Sequence, residues 1–450
     1  MMIGRKAIQR IALAVSLTLL LGLLSACGGG GGGAGGASQD AGTEPAAGSE
    51  GTSGSSGKDL KGEFVLWTWE PEHPTALAAF NEKYPDIKMK VVNVSAGDVT
   101  KKLQTTIASG GELPDVIRIE AGQKAKIFDM DILQPLDEPP YVADSSLLFD
   151  YDVNAFTVDG KLVAIPDDMS LSGMAFIKPL AKEYLGTDNP EELEAMFPDW
   201  ESFIEKGKEV VAKSGGKVKM LPGLGDVHSF IKNQRPGPYF DGDKLNTDVL
   251  KSVITDLVNF RDSGVVDKLD QWTPAWNAAF GSEKYIFAVC PIWMPQYVIG
   301  PNDKNPPRWG LMVAPEGGFI FGGSSHGIPK GAKNGELAWK WIEFTSMTQE
   351  GAEAQKKDGV FTHYKPAYDD SAFTQWHWEN FGEQDIGEKY FVDISASTKT
   401  VTENVNDLLL NEVMSIVIQT LAKDESFGVD EAMDRVKQEL KAKAPNITVE

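Results

Sequence analysis

The sequence predicts an α/β fold. Short apolar runs alternate with segments whose apolar residues recur at helical spacing, and proline or paired glycine closes the helical segments. This alternation predicts parallel sheet with helices on both faces. Phe64 to Trp69 reads as the first strand. Thr75 to Tyr84 follows as a helix, with Leu77, Phe80 and Tyr84 on one face and Pro85 as its stop. Lys88 to Val94 is the second strand. Val99, Leu103 and Ile107 mark a second helix ended by Gly110-Gly111, and Val116 to Ile119 is the third strand. Later strands run from Leu162 to Pro166-Asp167-Asp168, from Ile286 to Pro291-Ile292-Trp293, and up to Phe321. Amphipathic helices are carried by Trp200, Phe203, Ile204 and Val211, then by Leu250, Val253, Leu257 and Phe260. Leu337, Trp341 and Phe344 line another, as do Leu409, Val413 and Val417, and finally Ala432, Val436 and Leu440. No internal repeat is visible. Proline-rich breaks at Pro135 to Pro140, Pro236 to Pro238 and Pro301 to Pro307 read as loops rather than clean linkers.

The amino terminus is organised differently. Arg5, Lys6 and Arg10 precede an apolar run from Ile11 to Leu24, too short to span a bilayer stably, so residues 1–26 read as a cleaved signal. Leu24-Ser25-Ala26-Cys27 resembles the lipobox of bacterial lipoproteins. That resemblance implies a diacylglyceryl group on Cys27 and a chain held at the outer face of the cytoplasmic membrane. Residues 27–58 then form a tether of Gly, Ala, Ser and Thr that cannot bury enough apolar surface to fold. As a flexible coil it reaches roughly 30 Å. Folded sequence begins near Leu60, long enough for two or three domains.

Loss of the signal removes three of the 43 basic residues and none of the 65 acidic ones, leaving a charge of −25. So acidic a body argues against nucleic acid and against electrostatic binding to anionic lipid. With Cys27 given to lipid, Cys290 is unpaired; its apolar setting Ile286-Phe-Ala-Val-Cys290 reads as core, and a body this large needs no disulfide.

Six stretches together resemble a known family. They are Phe64-Val-Leu-Trp-Thr-Trp-Glu70, Lys102-Leu-Gln-Thr-Thr-Ile-Ala-Ser-Gly-Gly-Glu-Leu-Pro-Asp-Val116, Asp159-Gly-Lys-Leu-Val-Ala-Ile-Pro-Asp-Asp168, Phe280-Gly-Ser-Glu-Lys-Tyr-Ile-Phe-Ala-Val-Cys-Pro-Ile-Trp293, Gly322-Gly-Ser-Ser-His-Gly-Ile-Pro-Lys330 and Ala338-Trp-Lys-Trp-Ile-Glu-Phe344. In this order and spacing they resemble the extracellular solute-binding proteins of carbohydrate ABC importers, the maltose-binding-protein-like group (family 1 solute-binding proteins), over residues 60–450. The resemblance implies a two-lobed periplasmic-binding-protein-like fold with discontinuous lobes and a hinge. Lobe one would comprise 60–166 plus 320–362, and lobe two 167–319 plus 363–450. It further implies a monomer that binds a mono- or oligosaccharide between the lobes and docks on two transmembrane permease subunits served by a cytosolic ATPase.

Open α/β sheets bind ligands beyond the carboxyl ends of their strands. There the sequence places Trp69 and Glu70, Glu120, Asp167 and Asp168, Trp293 and Ser324, with Trp276 and Trp376 in segments read as loops. Sugars need this mixture: apolar C–H faces lie on aromatic rings, and hydroxyls donate to carboxylates. The resemblance aligns Asp168 with a hydroxyl-holding position and Trp293 with a stacking aromatic. Trp67, Trp200, Trp339 and Trp341 read as packing residues, and Asp167 also fits a turn cap. Asn406-Asp-Leu-Leu-Leu-Asn411 lacks the aromatic that some maltose binders carry there, a place Trp376 or Trp378 would have to fill.

Enzymatic readings fare worse. Gly323-Ser-Ser-His-Gly327 matches a nucleophile elbow in letters, but Pro329 follows where a helix is needed. Gly223-Leu-Gly225 lacks a dinucleotide fingerprint, and the five histidines show no metal spacing, so no cofactor and no metal are expected. Two alternatives to transport remain in the sequence. One is a surface hydrolase using a carboxylate pair such as Glu70 and Asp168; the other is a glycan sensor or adhesin of the same fold.

Overall fold

The computed structural model describes residues 60–69 and 73–449, all within one compact unit. The signal, Cys27, the whole of the tether and Glu70 lie outside them.

The first sheet grows from the alternation seen in the sequence. β1 (Gly62–Thr68) sends Phe64 and Leu66 to one face and Trp67 to the other. Helix Pro74–Lys83 starts with proline, whose missing N–H costs nothing at that position. β2 (Ile87–Asn93) lies parallel to β1 in a register running from Gly62 opposite Ile87 to Thr68 opposite Asn93. Helix Val99–Ala108 leads to β3 (Val116–Glu120), also parallel to β1. Helix Ala121–Asp129 then begins directly at the end of β3. On one face Phe64, Leu66 and Val116 pack with Phe80, Trp341 and Phe344; on the other, Trp67, Ile117 and Ile119 pack with Val99, Leu103 and Ile127. Fully burying such a side chain is worth about 1.5–3 kcal/mol.

The hairpin β4 (Thr157–Val158) and β5 (Lys161–Leu162) precedes β6 (Ile165–Asp168), the outer strand of this sheet. Only Met169 and Ser170 separate β6 from β7 (Leu171–Ile177), which is the centre of a second sheet. A further hairpin, β8 (Phe240–Asp241) with β9 (Lys244–Leu245), lies outside both sheets. β10 (Phe287–Pro291), β11 (Trp309–Met312) and β12 (Phe319–Ile320) all pair antiparallel with β7. β13 (Ser324–Gly327) then returns to the first sheet, between β3 and β6 and antiparallel to both.

The expectation of parallel sheet therefore holds for β1, β2 and β3 and needs correction elsewhere. β6 and β7 belong to different sheets, and the partners of β7 (β10, β11 and β12) all run antiparallel to it, so the second sheet holds no parallel pair. β13 enters from the second sheet through Gly322-Gly323, both in the left-handed region (φ 89° and 96°), where glycine alone is unstrained. Its first residue, Ser324, therefore lies at the edge where β3 and β6 end. The strands place the chain's passages between sheets at Met169-Ser170 and Phe321 to Gly323, a few residues from the expected breaks. The first of these lies beside Phe361, whose carbonyl accepts from the Met169 N–H at 2.8 Å.

The second sheet shares its core with helices Trp200–Lys213, Leu224–Gln234, Thr247–Ser263, Asp407–Lys423 and Val429–Lys443. Trp200 stacks on Phe230 at 3.7 Å, as expected of a packing residue. Cys290 is wholly buried, and burial pushes its thiol up to about 12. Among the described residues, no helix is long and apolar enough to cross a membrane.

Candidate functional site

The register of β13 brings the first group of expected residues together. Ser324 stands opposite Glu120 on one side and Asp168 on the other. The pairing with β6 slips between Ser324 and Ser325, where Asp168 and then Pro166 are their partners, so Asp167 sits in a bulge. A bulge re-aims side chains, and here both aspartates turn toward one arginine. Arg118, in the middle of β3, is 2% exposed. Its Nε donates to Ser324 Oγ at 2.9 Å; its Nη2 lies 2.9 Å from Asp167 Oδ2 and 3.8 Å from Asp168 Oδ1. The Ser324 hydroxyl donates to the Asp168 carboxylate. Trp69 covers this group, with the guanidinium carbon 4.9 Å from its ring centroid.

Burial favours a protonated Asp167, but the neighbouring positive charges, His326 where it is protonated in acid and Arg118, prevail and hold the carboxyl well below the usual range. His326 Nδ1 is 3.6 Å from Asp167 Oδ1, yet burial pushes the imidazole down to about 4, so it is neutral at pH 7. Among the described residues, neither ring nitrogen of His326 has a hydrogen-bond partner. Glu120 caps helix Ala121–Asp129 by accepting from the Gly122 N–H at 2.8 Å. Burial raises its carboxyl above the ordinary value, against the opposing charge of Lys232.

Aromatic rings gather on the other side of the Phe321 to Gly323 passage. Trp293, just beyond β10, donates from Nε1 to the Phe321 carbonyl at 3.2 Å. It lies over Gly322, where an added Cβ would come within 3.1 Å of that nitrogen. Phe321 is 6.0 Å from Trp293 and Trp272 is 6.0 Å from it on the same ring, nearly parallel at 28°. Trp272 is 55% exposed.

Two expected residues are placed elsewhere. Trp276 is not in a loop: it belongs to helix Pro274–Ala279, is fully buried, and donates from Nε1 to both oxygens of Asp226 at 3.0 and 3.1 Å. Pro274 starts that helix, and its first turn points Trp276 inward. Burial in turn pushes Asp226 up to about 7. Trp376 is also buried, 5.1 Å from Phe361 and 5.4 Å from Trp378, beside helix Gln349–Lys357 rather than at the strand ends. Asp167 belongs to the scaffold beneath the edge, being 2% exposed and paired with Arg118. Sequence reasoning missed Arg118 and Trp272. The signal for Arg118 was available: one cation in the apolar strand Val-Ile-Arg-Ile-Glu must find a carboxylate if it is buried.

Two polar contacts join the elements flanking the site. Lys124, from the helix after β3, pairs with Glu403 at 3.0 Å, and His73 Nδ1 meets the Tyr297 hydroxyl at 3.1 Å. Among the described residues, no cluster of three His, Cys, Asp or Glu could hold a metal ion.

Known proteins resemble the chain in sequence and in fold. The sequence profile of a family described as "Bacterial extracellular solute-binding protein" matches residues 75–381. A lactose-binding protein of Rhizobium radiobacter is 30% identical over 172 residues, 36% of this chain and 38% of that one. An arabinooligosaccharide-binding protein of Halalkalibacterium halodurans is 23% identical over 423 residues, 86% of this chain and 91% of that one. Among solved structures, the ABC transporter associated binding protein from B. animalis subsp. lactis Bl-04, in complex with beta-1,6-galactobiose, superposes with a TM-score of 0.73 at 18% identity, covering 87% of this chain and 100% of that one. At that identity the likeness carries the fold alone.

Proposed function

The chain belongs to the bacterial extracellular solute-binding proteins, and we propose that it captures a mono- or oligosaccharide between its two lobes and delivers it to an ABC-type permease. Its fold is that of the two-lobed periplasmic binding proteins, and it acts without catalysis, as a transport component. The observation that carries the sugar reading is the pairing, at one passage between sheets, of a carboxylate edge (Glu120, Asp168) with partly exposed rings (Trp69, Trp293). In this reading rings of the ligand stack on Trp69 and Trp293, while hydroxyls donate to Glu120, Asp168 and Glu70. Ser324 holds Asp168 in place. The carbohydrate names borne by the relatives support the same ligand class.

Lobe one is residues 60–166 plus 320–362, and lobe two is 167–319 plus 363–450. The support is that the two passages between sheets, at Met169-Ser170 and Phe321 to Gly323, lie within a few residues of the first two of those limits. Closure about the passages moves the lobes between two discrete states, and a ligand shifts them only by its differential affinity. The closed monomer docks on two membrane permease subunits driven by a cytosolic ATPase. Cys27 carries lipid, and the tether keeps the body at the outer face of the membrane.

Uptake tests the reading. Cells lacking the gene should lose import of labelled lactose or arabinooligosaccharide, with full-length protein restoring it. Cys27→Ala should release protein to the medium and lower uptake. Normal import without the gene contradicts the transport role.

A further inference from the structure

Lys124 and Glu403 belong to the halves of the molecule built on different sheets, and each stands on a segment held in place. Lys124 is on helix Ala121–Asp129, which packs on the first sheet through Ile127 and is tied to helix Val99–Ala108 where the Thr100 hydroxyl donates to Gln123. Glu403 precedes helix Asp407–Lys423 of the second sheet's core. Its neighbour Asn404 donates from Nδ2 to the Gly242 carbonyl at 3.1 Å and from its backbone N–H to Asp407 at 3.2 Å, and Asp407 lies 3.6 Å from Arg235. The Lys124 ammonium is 3.0 Å from the Glu403 carboxylate and 5.1 Å from the Phe156 ring centroid. Partial burial, at 21% and 37% exposure, leaves the pair less screened than two charges in open water.

The pair continues a wider match of charge. Glu120 and Lys124 lie one helical turn apart, negative then positive. The second half presents the reverse order to them: the Lys232 charge acts on Glu120, and Glu403 meets Lys124. The halves also meet at His73 and Tyr297, 3.1 Å apart, the first leading into helix Pro74–Lys83 and the second lying in the segment Pro295–Ile299. All these groups belong to the protein, so they add to closure whatever the ligand contributes. We propose that Lys124 and Glu403 latch the two lobes together. They are positioning residues that prolong the closed state and so slow the ligand's departure, acting through the lobes rather than through the ligand. This rests on lobe closure in the reading above and deepens it.

Stopped-flow tryptophan fluorescence of the purified protein with lactose, arabinotriose and beta-1,6-galactobiose reads the latch directly. Lys124→Ala should speed dissociation about two- to fivefold, the size of one exposed ion pair, with association little changed. Lys124→Glu, which sets two like charges face to face, should speed it further. Combining Lys124→Glu with Glu403→Lys restores the pair and should return dissociation to within about twofold of the wild type; a merely structural lesion would not be rescued. Salt at about 0.5 M should narrow the gap between wild type and Lys124→Ala. Pulsed EPR between spin labels on Gln104→Cys and Gln419→Cys, both exposed positions, reads the lobes with no sugar present. There Lys124→Glu should lengthen the mean distance, and the charge swap should shorten it again. Distances unchanged by Lys124→Glu overturn the latch while leaving sugar capture intact. So does unchanged dissociation in a variant that binds sugar, or an effect that the swap does not reverse. Longer distances in a chain that binds none of these sugars sustain the latch and overturn the capture reading.

Discussion

At the edge of the first sheet the polar groups are spent on one another. Arg118 links Asp167, Asp168 and Ser324 under the Trp69 ring, with Arg118 and Asp167 each 2% exposed. Across the Phe321 to Gly323 passage, Trp272, Trp293 and Phe321 keep open faces and hold position through rings and backbone carbonyls. The difference follows from what each group loses on burial. A charge taken out of water must be matched or it destabilises the fold. An aromatic face loses nothing by staying half wet until a partner covers it. The buried Arg118–Asp167 pair therefore fixes geometry, while the half-buried Glu120 and Asp168 and the aromatic side keep surface for the ligand.

The contrast is broken most severely at Arg118. Arg118→Met leaves Asp167 buried without its cation and should cost about 3–5 kcal/mol in urea unfolding; a change below about 1 kcal/mol would show that the network is not structural. A similar cost, about 3–5 kcal/mol, is expected for Trp276→Ala, which empties a fully buried site. Trp272→Ala should move stability by no more than about 0.5 kcal/mol. Equal effects for the two tryptophans would erase the distinction between anchor and platform.

Acid tests the ionic edge in another way. His326 has its folded pKa pushed down to about 4, against about 6.5 unfolded. Protons therefore favour the unfolded chain, and stability should fall as pH drops from about 6.5 to about 4, by a few kcal/mol. Asp167, whose folded pKa is depressed, keeps its contribution above about pH 4 and loses it at lower pH. His326→Gln should flatten the first part of the profile; an unchanged profile would remove His326 from it. The smallest effect is expected at Lys124–Glu403, whose side chains are 21% and 37% exposed. Lys124→Ala should cost less than about 1 kcal/mol, shrinking further in salt.

The helices were legible in the sequence because their apolar spacing is unbroken: Leu250, Val253, Leu257 and Phe260 are each at most 1% exposed. β1 to β3 were legible for the same reason, as were the strand ends carrying Glu120 and Asp168; Ser324, expected beyond the end of a strand, instead begins β13. β7 was not. It begins three residues after β6 ends, and no glycine or proline separates β6 (Ile-Pro-Asp-Asp) from an apolar strand that belongs to the other sheet. The tryptophans divided where sequence offers least. In Gln271-Trp-Thr-Pro-Ala-Trp276 the pattern put Trp276 in a loop and gave no signal for Trp272, and only the helix begun by Pro274 turns Trp276 inward and leaves Trp272 out. The bulge that turns both aspartates to Arg118 depends on β13, a strand distant in sequence, so local pattern could not reveal it.

The central claim is that a sugar is held where the ionic edge meets the rings, and Trp293 stands at that junction. Calorimetry of wild-type and Trp293→Ala protein against lactose, arabinotriose and beta-1,6-galactobiose tests it most directly. The account predicts that the wild type binds at least one of them, and that the variant loses about tenfold or more in affinity with its unfolding midpoint retained. A wild type that binds none of them, or a variant that binds as tightly as the wild type, would contradict it.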